Sequence, residues 1–342
     1  MSYNDHPAAV ITSKGVLEIV KRSTPKPGPG ELLIEVKAIA LNPIDWKQRD
    51  FGFMLKGFPA ITGYDIGGIV IDVGSSNRPN VPAVGTRVAA FSNAFFSQGE
   101  PNYGGLQKYA LVPVEMVTPI PSGISFNEAA LFGMQAATTW SAFYTAGLPY
   151  DVKASAKQGF LVWGGSGSIG TGGVETAKLQ GFTVYATASE KNHAYVKSLG
   201  ADRVFDYKDP AVVQKIVKAA KEDGVILDVA YDCAGATQEI QDILKEFKRT
   251  GVPRLATAIP LNDKSPQTEG VETKFVAAPE DEKAKLDHFS FIFNVWLKDK
   301  LERGVYVPGP SIKVIDGGLE AANKALDELK AGVSATKLVL EV

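Results

Sequence analysis

The chain has 342 residues, 45% of them hydrophobic, and a formal net charge of −2, a composition typical of globular proteins and a length that predicts two domains. The balanced charge excludes the basic footprint of a nucleic-acid-binding protein, and the single cysteine excludes internal disulfides. Because the sequence has neither a signal peptide nor an apolar run of roughly 18 residues, we expect a cytoplasmic protein without membrane contact.

Short apolar runs separated by glycine and proline fill the first 127 residues. Because no long helical pattern lies between them, they predict a compact β-rich domain. Residues 336–342 alternate as a strand, and we expect this strand to return to the first domain. The other strands predicted for this domain are 32–41, 67–73, 87–91 and 106–112.

Strands and helices alternate from residue 128 to residue 280. Helices of about ten residues between strands imply right-handed crossovers and a doubly wound parallel α/β sheet, with a ligand at the carboxyl ends of the strands. We therefore expect one domain of residues 1–127 and 281–342 and a second of residues 128–280. The strands predicted for the second domain are 159–162, 183–187, 203–205, 226–231 and 254–258, and its helices are 171–179, 191–199, 210–220 and 238–247.

A glycine-rich turn lies between the first of these strands and the helix that follows it. Residues 163–170 read Trp-Gly-Gly-Ser-Gly-Ser-Ile-Gly, so Gly165, Gly167 and Gly170 fill the pattern G-x-G-x-x-G. In that pattern the first glycine permits a tight turn, the second lets backbone approach a pyrophosphate, and the third lets helix pack on strand. Amides at the start of the helix then face the diphosphate. We therefore expect a Rossmann domain whose dinucleotide contacts Gly165, Ser166, Gly167, Ser168, Ile169 and Gly170.

Five short motifs lie in the β-rich part of the chain: Lys-Pro-Gly-Pro-Gly-Glu at 26–31, Asn-Pro-Ile-Asp-Trp-Lys at 42–47, Gly-Tyr-Asp at 63–65, Val-Gly-Thr-Arg-Val at 84–88 and Tyr-Gly-Gly-Leu-Gln-Lys-Tyr at 103–109. With the order of the domains and the glycine-rich turn, they resemble the medium-chain dehydrogenase/reductase superfamily over essentially the whole chain. Within it, the sequence is most similar to the quinone-oxidoreductase and enoyl-reductase branch, and residues 304–314 and 319–342 resemble fungal trans-acting enoyl reductases and toxin-cluster dehydrogenases. The resemblance implies that the β-rich domain is a GroES-like catalytic domain.

The sequence departs from the zinc alcohol dehydrogenases at their metal ligands. It has Asn42 or Pro43 where those enzymes place a cysteine, and Tyr64 and Asp65 where they place a histidine and its acidic neighbour. A zinc site needs at least three converging ligands, and the three histidines, His6, His193 and His288, are scattered. We therefore expect no metal, and an activated alkene or a quinone as the hydride acceptor.

Cofactor choice depends on residues at the end of the second strand of the Rossmann domain. NAD enzymes usually carry an acidic side chain about 20 residues past the glycines, which holds the ribose 2′-hydroxyl. Here Thr187 stands at the matching place with Ser189 and Lys191 beside it, and these groups can donate to a 2′-phosphate. We expect Glu190 on the solvent side of the next helix, where the helix dipole favours it. With Tyr207, which matches a family tyrosine near the adenosine phosphate, these residues predict NADPH.

Two further strand ends are expected to approach the nicotinamide, by resemblance to family members. Ala234 and Gly235 follow the fourth strand of the domain, and glycine permits close approach of the backbone. Ile259 follows the fifth strand, where its backbone could meet the nicotinamide amide. A cluster of apolar residues either walls the substrate cleft or belongs to the core: Phe289, Phe291 and Ile292.

The resemblance also implies catalytic positions. Lys47 matches a family position that faces the nicotinamide, and Thr138 matches the family threonine at the start of the helix that joins the domains. Hydride addition to an unsaturated carbonyl leaves an enolate, which needs a donor at its oxygen and a proton for its α-carbon. Tyr64 is the competing donor because it replaces a zinc-ligand histidine. The alternatives are a solvated surface role for Lys47, a packing role for Thr138, and Thr139 in its place if the register shifts by one.

We therefore expect an NADPH-dependent reductase of activated C=C bonds in enoyl thioesters or enones, acting without zinc. Quinones are the alternative acceptors, and a non-catalytic NADPH-binding partner protein of the same fold is the alternative function. Apolar residues in segments 50–59, 93–103 and 281–295 suggest a small apolar substrate or pack the domains. By resemblance, a polyketide synthase is a candidate partner, and the protein is a monomer or a homodimer joined near residues 274–278.

Overall fold

The computed structural model describes residues 5–78, 81–247 and 251–342. The chain divides into two compact units, one of Met1–Met134 with Asp281–Val342 and one of Gln135–Glu280. The boundary predicted between residues 127 and 128 lies inside the short helix Phe126–Ala129. The domain assignment itself stays a prediction.

The first unit contains a seven-stranded sheet and a separate two-stranded hairpin. The sheet has the order β14-β15-β3-β4-β5-β7, with β6 also paired to β3. The C-terminal strand β15 pairs with β3, so the predicted return to the β-rich part of the chain is confirmed. The strands are β1 (His6–Ser13) and β2 (Val16–Arg22) in the hairpin, and β3 (Glu31–Ala40), β4 (Asp65–Val73), β5 (Arg87–Phe91), β6 (Tyr109–Pro113), β7 (Val117–Pro119), β14 (Ser311–Val314) and β15 (Thr336–Glu341) in the sheet.

A helix absent from the sequence prediction follows β3. Asn42 forms a capping box at the start of α1 (Pro43–Phe51), since its N–H donates to Asp45 Oδ2 at 2.8 Å. Pro43 lies at the first position of the helix, where a missing amide costs nothing. The other helices that belong wholly or partly to this unit are α2 (Phe126–Ala129), α3 (Phe132–Thr145), which continues into the second unit, α8 (Glu282–Phe289), a π-helical segment (Ser290–Leu297), α9 (Lys298–Glu302) and α10 (Ala322–Ala331), with short 3-10 turns at Val114–Met116 and Gly318–Ala321.

The second unit contains a six-stranded, fully parallel sheet. Its order is β10-β9-β8-β11-β12-β13, which is the doubly wound order of the Rossmann fold, and the predicted fold class is confirmed. The strand order reverses between β8 and β11, so a ligand is expected at the carboxyl ends of these two strands. The edge strand β13 covers part of the segment predicted near 274–278. The strands are β8 (Gln158–Trp163), β9 (Thr183–Thr187), β10 (Arg203–Phe205), β11 (Ile226–Asp232), β12 (Arg254–Thr257) and β13 (Glu272–Phe275).

Helices of the second unit alternate with these strands, as predicted. Two of them start two residues later than expected. Helix α5 begins at His193, after a 3-10 turn at Glu190–Asn192. Helix α6 begins at Val212, because the Asp209 carboxylate accepts the Ala211 N–H at 2.8 Å and forms a turn before the helix. Among the described residues, none of the helices has both the length and the apolar character needed to cross a membrane. The helices are α4 (Ser168–Leu179), α5 (His193–Ser198), α6 (Val212–Asp223) and α7 (Thr237–Leu244), with 3-10 turns at Glu190–Asn192 and Lys245–Phe247.

Candidate functional site

The glycine-rich turn follows β8 and is bonded to the end of β9. The Gly165 N–H donates to the Thr187 carbonyl at 2.8 Å, and the Gly164 N–H donates to the Thr187 hydroxyl oxygen at 3.0 Å. Gly164 has a φ of +88°, and a Cβ on it would lie 2.9 Å from the Ala234 Cβ. Sequence reasoning singled out the three glycines of the pattern and missed Gly164, although its backbone conformation is the one that favours glycine.

The three glycines of the pattern are required for different reasons. A Cβ on Gly170 would overlap the Gly164 carbonyl, and a Cβ on Gly165 would lie 3.2 Å from both the Ala186 and Val196 side chains. By contrast, Gly167 has an ordinary φ of −78°, and a Cβ on it would have no neighbour closer than 3.6 Å. The fold itself therefore leaves room for a side chain at Gly167. A glycine there fits a bound dinucleotide whose diphosphate must approach the backbone closely.

The turn after β11 is organised by the buried carboxylate of Asp232. Its Oδ1 accepts the N–H groups of Ala234 at 3.0 Å and Gly235 at 2.8 Å, and its Oδ2 accepts the hydroxyls of Thr237 and Thr257, each at 3.2 Å. These bonds hold Ala234 and Gly235 on an exposed turn beside Gly164. An aspartate at a strand end with glycine three residues later is a turn signal that the sequence offered.

The turn after β12 lies beside the turn after β11. The Ala258 N–H donates to the Asp232 carbonyl at 2.9 Å, and the Ile259 N–H donates to the Thr257 hydroxyl oxygen at 3.1 Å. A Cβ on Gly235 would lie 3.6 Å from the exposed Ile259 side chain. The structure thus brings together the turns after β8, β11 and β12 at one edge of the sheet, where the sequence predicted them.

The residues predicted to bind a 2′-phosphate differ in exposure. Thr187 is fully buried and its hydroxyl oxygen accepts the Gly164 N–H, which corrects its predicted role. Because it is enclosed, it shapes the turn and cannot face a ligand. Ser189 is half-buried, while Lys191 and Tyr207 are exposed in the segments that follow β9 and β10.

Cys233 lies between Asp232 and Ala234 on the same turn. Burial, together with the neighbouring Asp232 carboxylate, raises the pKa of its thiol well above the ordinary value. A thiol with a raised pKa is a poor nucleophile, so a nucleophilic role for Cys233 is not expected.

In the first unit, α1 and the start of β4 enclose a buried polar cluster. Asp65 Oδ2 accepts the Lys337 ammonium at 2.9 Å and the Asn42 side-chain amide at 2.9 Å, and Asn42 Oδ1 accepts from Lys337 Nζ at 2.6 Å. Asp65 Oδ1 accepts the N–H of Met134. The Lys337 ammonium therefore bridges Asn42 and Asp65 inside the first unit. The described residues contain no group of three or more His, Cys, Asp or Glu side chains that could hold a metal ion.

Asp45 is the second carboxylate of this cluster and is completely enclosed. Its oxygens accept the N–H groups of Asn42 at 2.8 Å and Gly63 at 2.9 Å. Burial, with a smaller contribution from the nearby Asp65 charge, raises the pKa of Asp45 to about 7, although the two backbone hydrogen bonds and the Lys337 ammonium oppose the shift. Asp45 thus joins α1 to the segment before Tyr64.

Tyr64 is fully buried in an aromatic environment. Its hydroxyl donates to Gln48 Oε1 at 2.7 Å, and its ring lies 6.3 Å from the Phe91 ring and 6.5 Å from the Phe95 ring. Burial and the Asp45 carboxylate raise the pKa of the phenol well above its ordinary value. Gln48 is also fully buried, and its Nε2 has no hydrogen-bond partner among the described residues. The hydroxyl hydrogen of Tyr64 is therefore already used in a hydrogen bond to Gln48 within the first unit.

Lys47 and Thr138, the other two predicted catalytic residues, are both half-buried. The Lys47 ammonium lies 5.7 Å from the Trp46 ring centroid, and within the described chain it has no hydrogen bond or ion pair. Thr139 is fully buried and its hydroxyl donates to the Ile169 carbonyl at 3.5 Å, which ties α3 to the first turn of α4. By contrast, the Thr138 hydroxyl has no hydrogen-bond partner within the described part of the chain. Lys47 and Tyr64 belong to the first unit, and Thr138 belongs to the second.

The apolar residues considered for the substrate cleft fall into two groups. Phe289 and Ile292 are buried, and the Phe289 ring packs 6.0 Å from Phe91 and 5.4 Å from Phe96. They belong to the core of the first unit, and Phe291 is half-buried. At the last residue of α1 and in the segment that follows it, several apolar side chains are exposed instead: Phe51, Phe53, Met54 and Phe58.

Two family models match the chain. The alcohol dehydrogenase GroES-like domain matches residues 28–122, and the zinc-binding dehydrogenase domain matches residues 168–255. Trans-enoyl reductase tndF of Aspergillus flavipes is 43% identical over 98% of this chain and 99% of its own length. Trans-enoyl reductase tazE of Aspergillus terreus is 46% identical over 79% of this chain and 91% of its own length.

A solved structure shares the fold. The crystal structure of an alcohol dehydrogenase superfamily protein from Novosphingobium aromaticivorans superposes with a TM-score of 0.80, covers 98% of this chain and 99% of its own, and is 21% identical. Strand order, glycine-rich turn and relatives agree: the chain belongs to the medium-chain dehydrogenase/reductase superfamily, whose dehydrogenases bind a nicotinamide cofactor, and it is an oxidoreductase.

Proposed function

We propose that this protein is an NADPH-dependent reductase that adds hydride to activated C=C bonds of enoyl thioesters or enones. The observation that carries the proposal is the glycine at position 167. The fold leaves room for a side chain at this position, yet the residue is glycine. The close approach of a bound diphosphate to the backbone would account for the missing side chain. Two relatives that are named trans-enoyl reductases and span most of this chain support C=C reduction as the reaction.

NADPH is the proposed cofactor because hydroxyl and ammonium groups follow β9, where NAD enzymes usually carry a carboxylate. Ser189 and Lys191 can each donate to a 2′-phosphate, and Ser166 lies close enough to Ser189 for one side chain, Asn192, to bond both. Glu190 is the only carboxylate in residues 188–192, and it is exposed at the start of the 3-10 turn Glu190–Asn192. The diphosphate would be held by Gly165–Gly170, and the nicotinamide half by the backbone of Ala234, Gly235 and Ile259.

Lys47 is the proposed donor at the reacting carbonyl or at its α-carbon. When bound, NADPH supplies a hydride for the β-carbon of the substrate, which leaves an enolate. An ammonium that lies over the Trp46 ring but has no hydrogen bond or ion pair within the described chain is available to hydrogen-bond the enolate oxygen or to deliver a proton. Tyr64 ranks behind Lys47 because its hydrogen is donated to Gln48. Thr138 is proposed as the catalytic threonine instead of Thr139, because the Thr139 hydroxyl is already bonded to the Ile169 carbonyl.

We also propose that the reaction needs no zinc. Asn42 and Asp65 are bonded to the Lys337 ammonium, and Tyr64 is bonded to Gln48, so these side chains are engaged with one another. A cation already bound at Asp65 opposes the entry of a second. Prolonged dialysis against a strong chelator should leave turnover unchanged, and loss of activity that zinc restores would overturn this part of the proposal.

The substrate class can be tested with a small panel. NADPH consumption should be followed with enones, with enoyl thioesters on a small thiol, with the same acyl groups on a polyketide-synthase carrier protein, and with quinones. Turnover of the thioesters or enones supports the proposal, and a preference for the carrier-bound form supports a polyketide synthase as partner. Turnover of quinones alone would favour a quinone reductase, and tight NADPH binding with no turnover would favour a non-catalytic protein.

A further inference from the structure

Asn192 connects the glycine-rich turn to the end of β9. Its side-chain Nδ2 donates to the Ser166 hydroxyl oxygen at 3.3 Å and to the Ser189 hydroxyl oxygen at 3.2 Å. Its backbone N–H donates to the Ser189 carbonyl at 2.8 Å, which fixes the 3-10 turn that carries it. One amide group therefore bonds two hydroxyls that come from separate segments of the Rossmann unit.

This arrangement decides what the two serines can do. A carboxamide nitrogen has two hydrogens, and each serine oxygen accepts one of them. Each serine then keeps its own hydroxyl hydrogen, and among the described residues neither hydrogen has an acceptor. Both serines are half-buried, so neither is fully enclosed by the fold. Ser166 and Ser189 are thus held as a pair of donors toward an external acceptor.

The charges around this pair favour an anion with several oxygens. The Lys191 side chain is exposed, and within the described residues it has no ion-pair partner. Lys208 lies 5.9 Å from the Tyr207 ring centroid in the segment after β10. Two carboxylates oppose these charges: Glu190, whose side chain is exposed at the start of the turn, and Asp206, which precedes Tyr207 and accepts the Lys208 N–H at 2.9 Å. Two hydroxyl donors beside an ammonium match a phosphate monoester better than a ribose 2′-hydroxyl, which offers one oxygen and its own hydrogen.

We propose that Asn192 is a positioning residue for NADPH selectivity, which acts by holding the Ser166 and Ser189 hydroxyls as donors to the 2′-phosphate. The inference rests on the proposed use of NADPH and names the residue that sets the preference. Asn192 bonds the serines, and the serines bond the phosphate. An aspartate at this position would reverse the arrangement, because a carboxylate accepts the serine hydrogens and repels a phosphate.

The test compares the binding of two adenosine fragments to the full chain by calorimetry. 2′,5′-ADP carries the 2′-phosphate and 5′-ADP lacks it, so the ratio of their dissociation constants isolates this site without turnover. Asn192→Asp should raise the dissociation constant of 2′,5′-ADP by at least about tenfold and change that of 5′-ADP by less than about threefold. The matched control is Gln214→Glu on the exposed face of α6, which makes the same amide-to-carboxylate change and should leave both constants unaltered.

A second comparison separates the orientation of the serines from the added charge. Asn192→Leu removes the two amide hydrogens that bond the serines and adds no charge. In the otherwise unchanged chain it should raise the dissociation constant of 2′,5′-ADP by about threefold or more. In a chain that already carries Ser166→Ala and Ser189→Ala, the same substitution should have no further effect, because the hydroxyls it positions are gone. An equal loss for both fragments would assign Asn192 a purely structural role and would overturn the inference.

The outcomes also separate this inference from the proposed function. If the unaltered chain binds 5′-ADP as tightly as 2′,5′-ADP, the choice of NADPH fails and the role of Asn192 fails with it. If the unaltered chain prefers 2′,5′-ADP and the Asn192 variants keep that preference within about twofold, NADPH stands and only the role of Asn192 is wrong.

Discussion

The Tyr64 hydroxyl donates to Gln48 Oε1 at 2.7 Å, and both side chains are fully enclosed in the first unit. This bond bears on the identity of the donor at the reacting carbonyl. A phenol whose hydrogen is already bonded, and whose pKa is raised by burial and by the Asp45 carboxylate, is a poor proton source. Tyr64 is therefore expected to contribute mainly to stability.

Replacing Tyr64 with phenylalanine should lower the free energy of unfolding by about 1–3 kcal/mol, because Gln48 would then be buried with neither end of its amide bonded. Turnover should change less than it does on loss of Lys47. Urea denaturation and steady-state rates on one enone measure both effects. A large loss of turnover in Tyr64→Phe with unchanged stability would make Tyr64 the donor.

Lys47→Ala should reduce turnover by at least about tenfold while NADPH affinity stays within about threefold, because a donor to the developing enolate acts in the transition state rather than in cofactor binding. Lys21→Ala, on the exposed side of β2, removes an equal charge and should leave the rate unchanged. Rates with saturating NADPH and fluorescence titration of NADPH provide the two numbers. Equal rates for both variants would favour the alternative role of Lys47 as a solvated surface residue that takes no part in the reaction.

The glycines of the turn offer a matched pair of substitutions. Gly167→Ala should fold normally, since its Cβ would have no neighbour closer than 3.6 Å. It should weaken dinucleotide binding, because the added methyl group would keep the diphosphate away from the backbone. Gly170→Ala should instead lower the melting temperature, because its Cβ overlaps the Gly164 carbonyl. Thermal melts and NADPH titrations of the two variants distinguish the two effects. Normal NADPH affinity in Gly167→Ala would remove the main support for the dinucleotide site.

The second unit could be predicted well because its information is local. Strands β9 and β10 have the predicted bounds, since apolar runs framed by glycine or turn residues mark both ends of a buried parallel strand. The first unit was predicted less completely. The hairpin β1–β2 was missed, and so was α1, although a proline such as Pro43 is favoured at the first position of a helix.

The side chains of the site were harder to predict than its backbone. The spacing of Gly165, Gly167 and Gly170 is visible in the sequence, but the burial of Thr187 is not, because it depends on a bond to Gly164 across 23 residues. The bonds from Asn192 to Ser166 and Ser189 depend on β8 and β9 being neighbours in the sheet. Pairings between segments therefore decide which hydroxyls can face a ligand.

The Asp45 carboxyl gives stability a defined dependence on pH. Burial raises its folded pKa to about 7, above the ordinary value of 3.8, so between these values the folded chain holds a proton that the unfolded chain has lost. Stability then falls as pH rises through this window, by up to about 1.4 kcal/mol per pH unit. The stability difference between the unaltered chain and Asp45→Asn, measured from pH 4 to pH 7, should fall accordingly. A difference independent of pH would mean that Asp45 is ionised when folded.

The ion pair between Lys337 and Asp65 is almost completely enclosed, and Asn42 bonds both partners. Lys337→Met should lower the free energy of unfolding by about 3–5 kcal/mol, because it leaves the Asp65 carboxylate buried without a cation. Adding Asp65→Asn removes that uncompensated charge, while an amide oxygen can still accept the Met134 N–H. The double variant should therefore be more stable than Lys337→Met alone, as measured by urea denaturation. If the second substitution instead lowered stability further, Asp65 would be held mainly by its hydrogen bonds to Asn42 and Met134, and the ammonium would matter little.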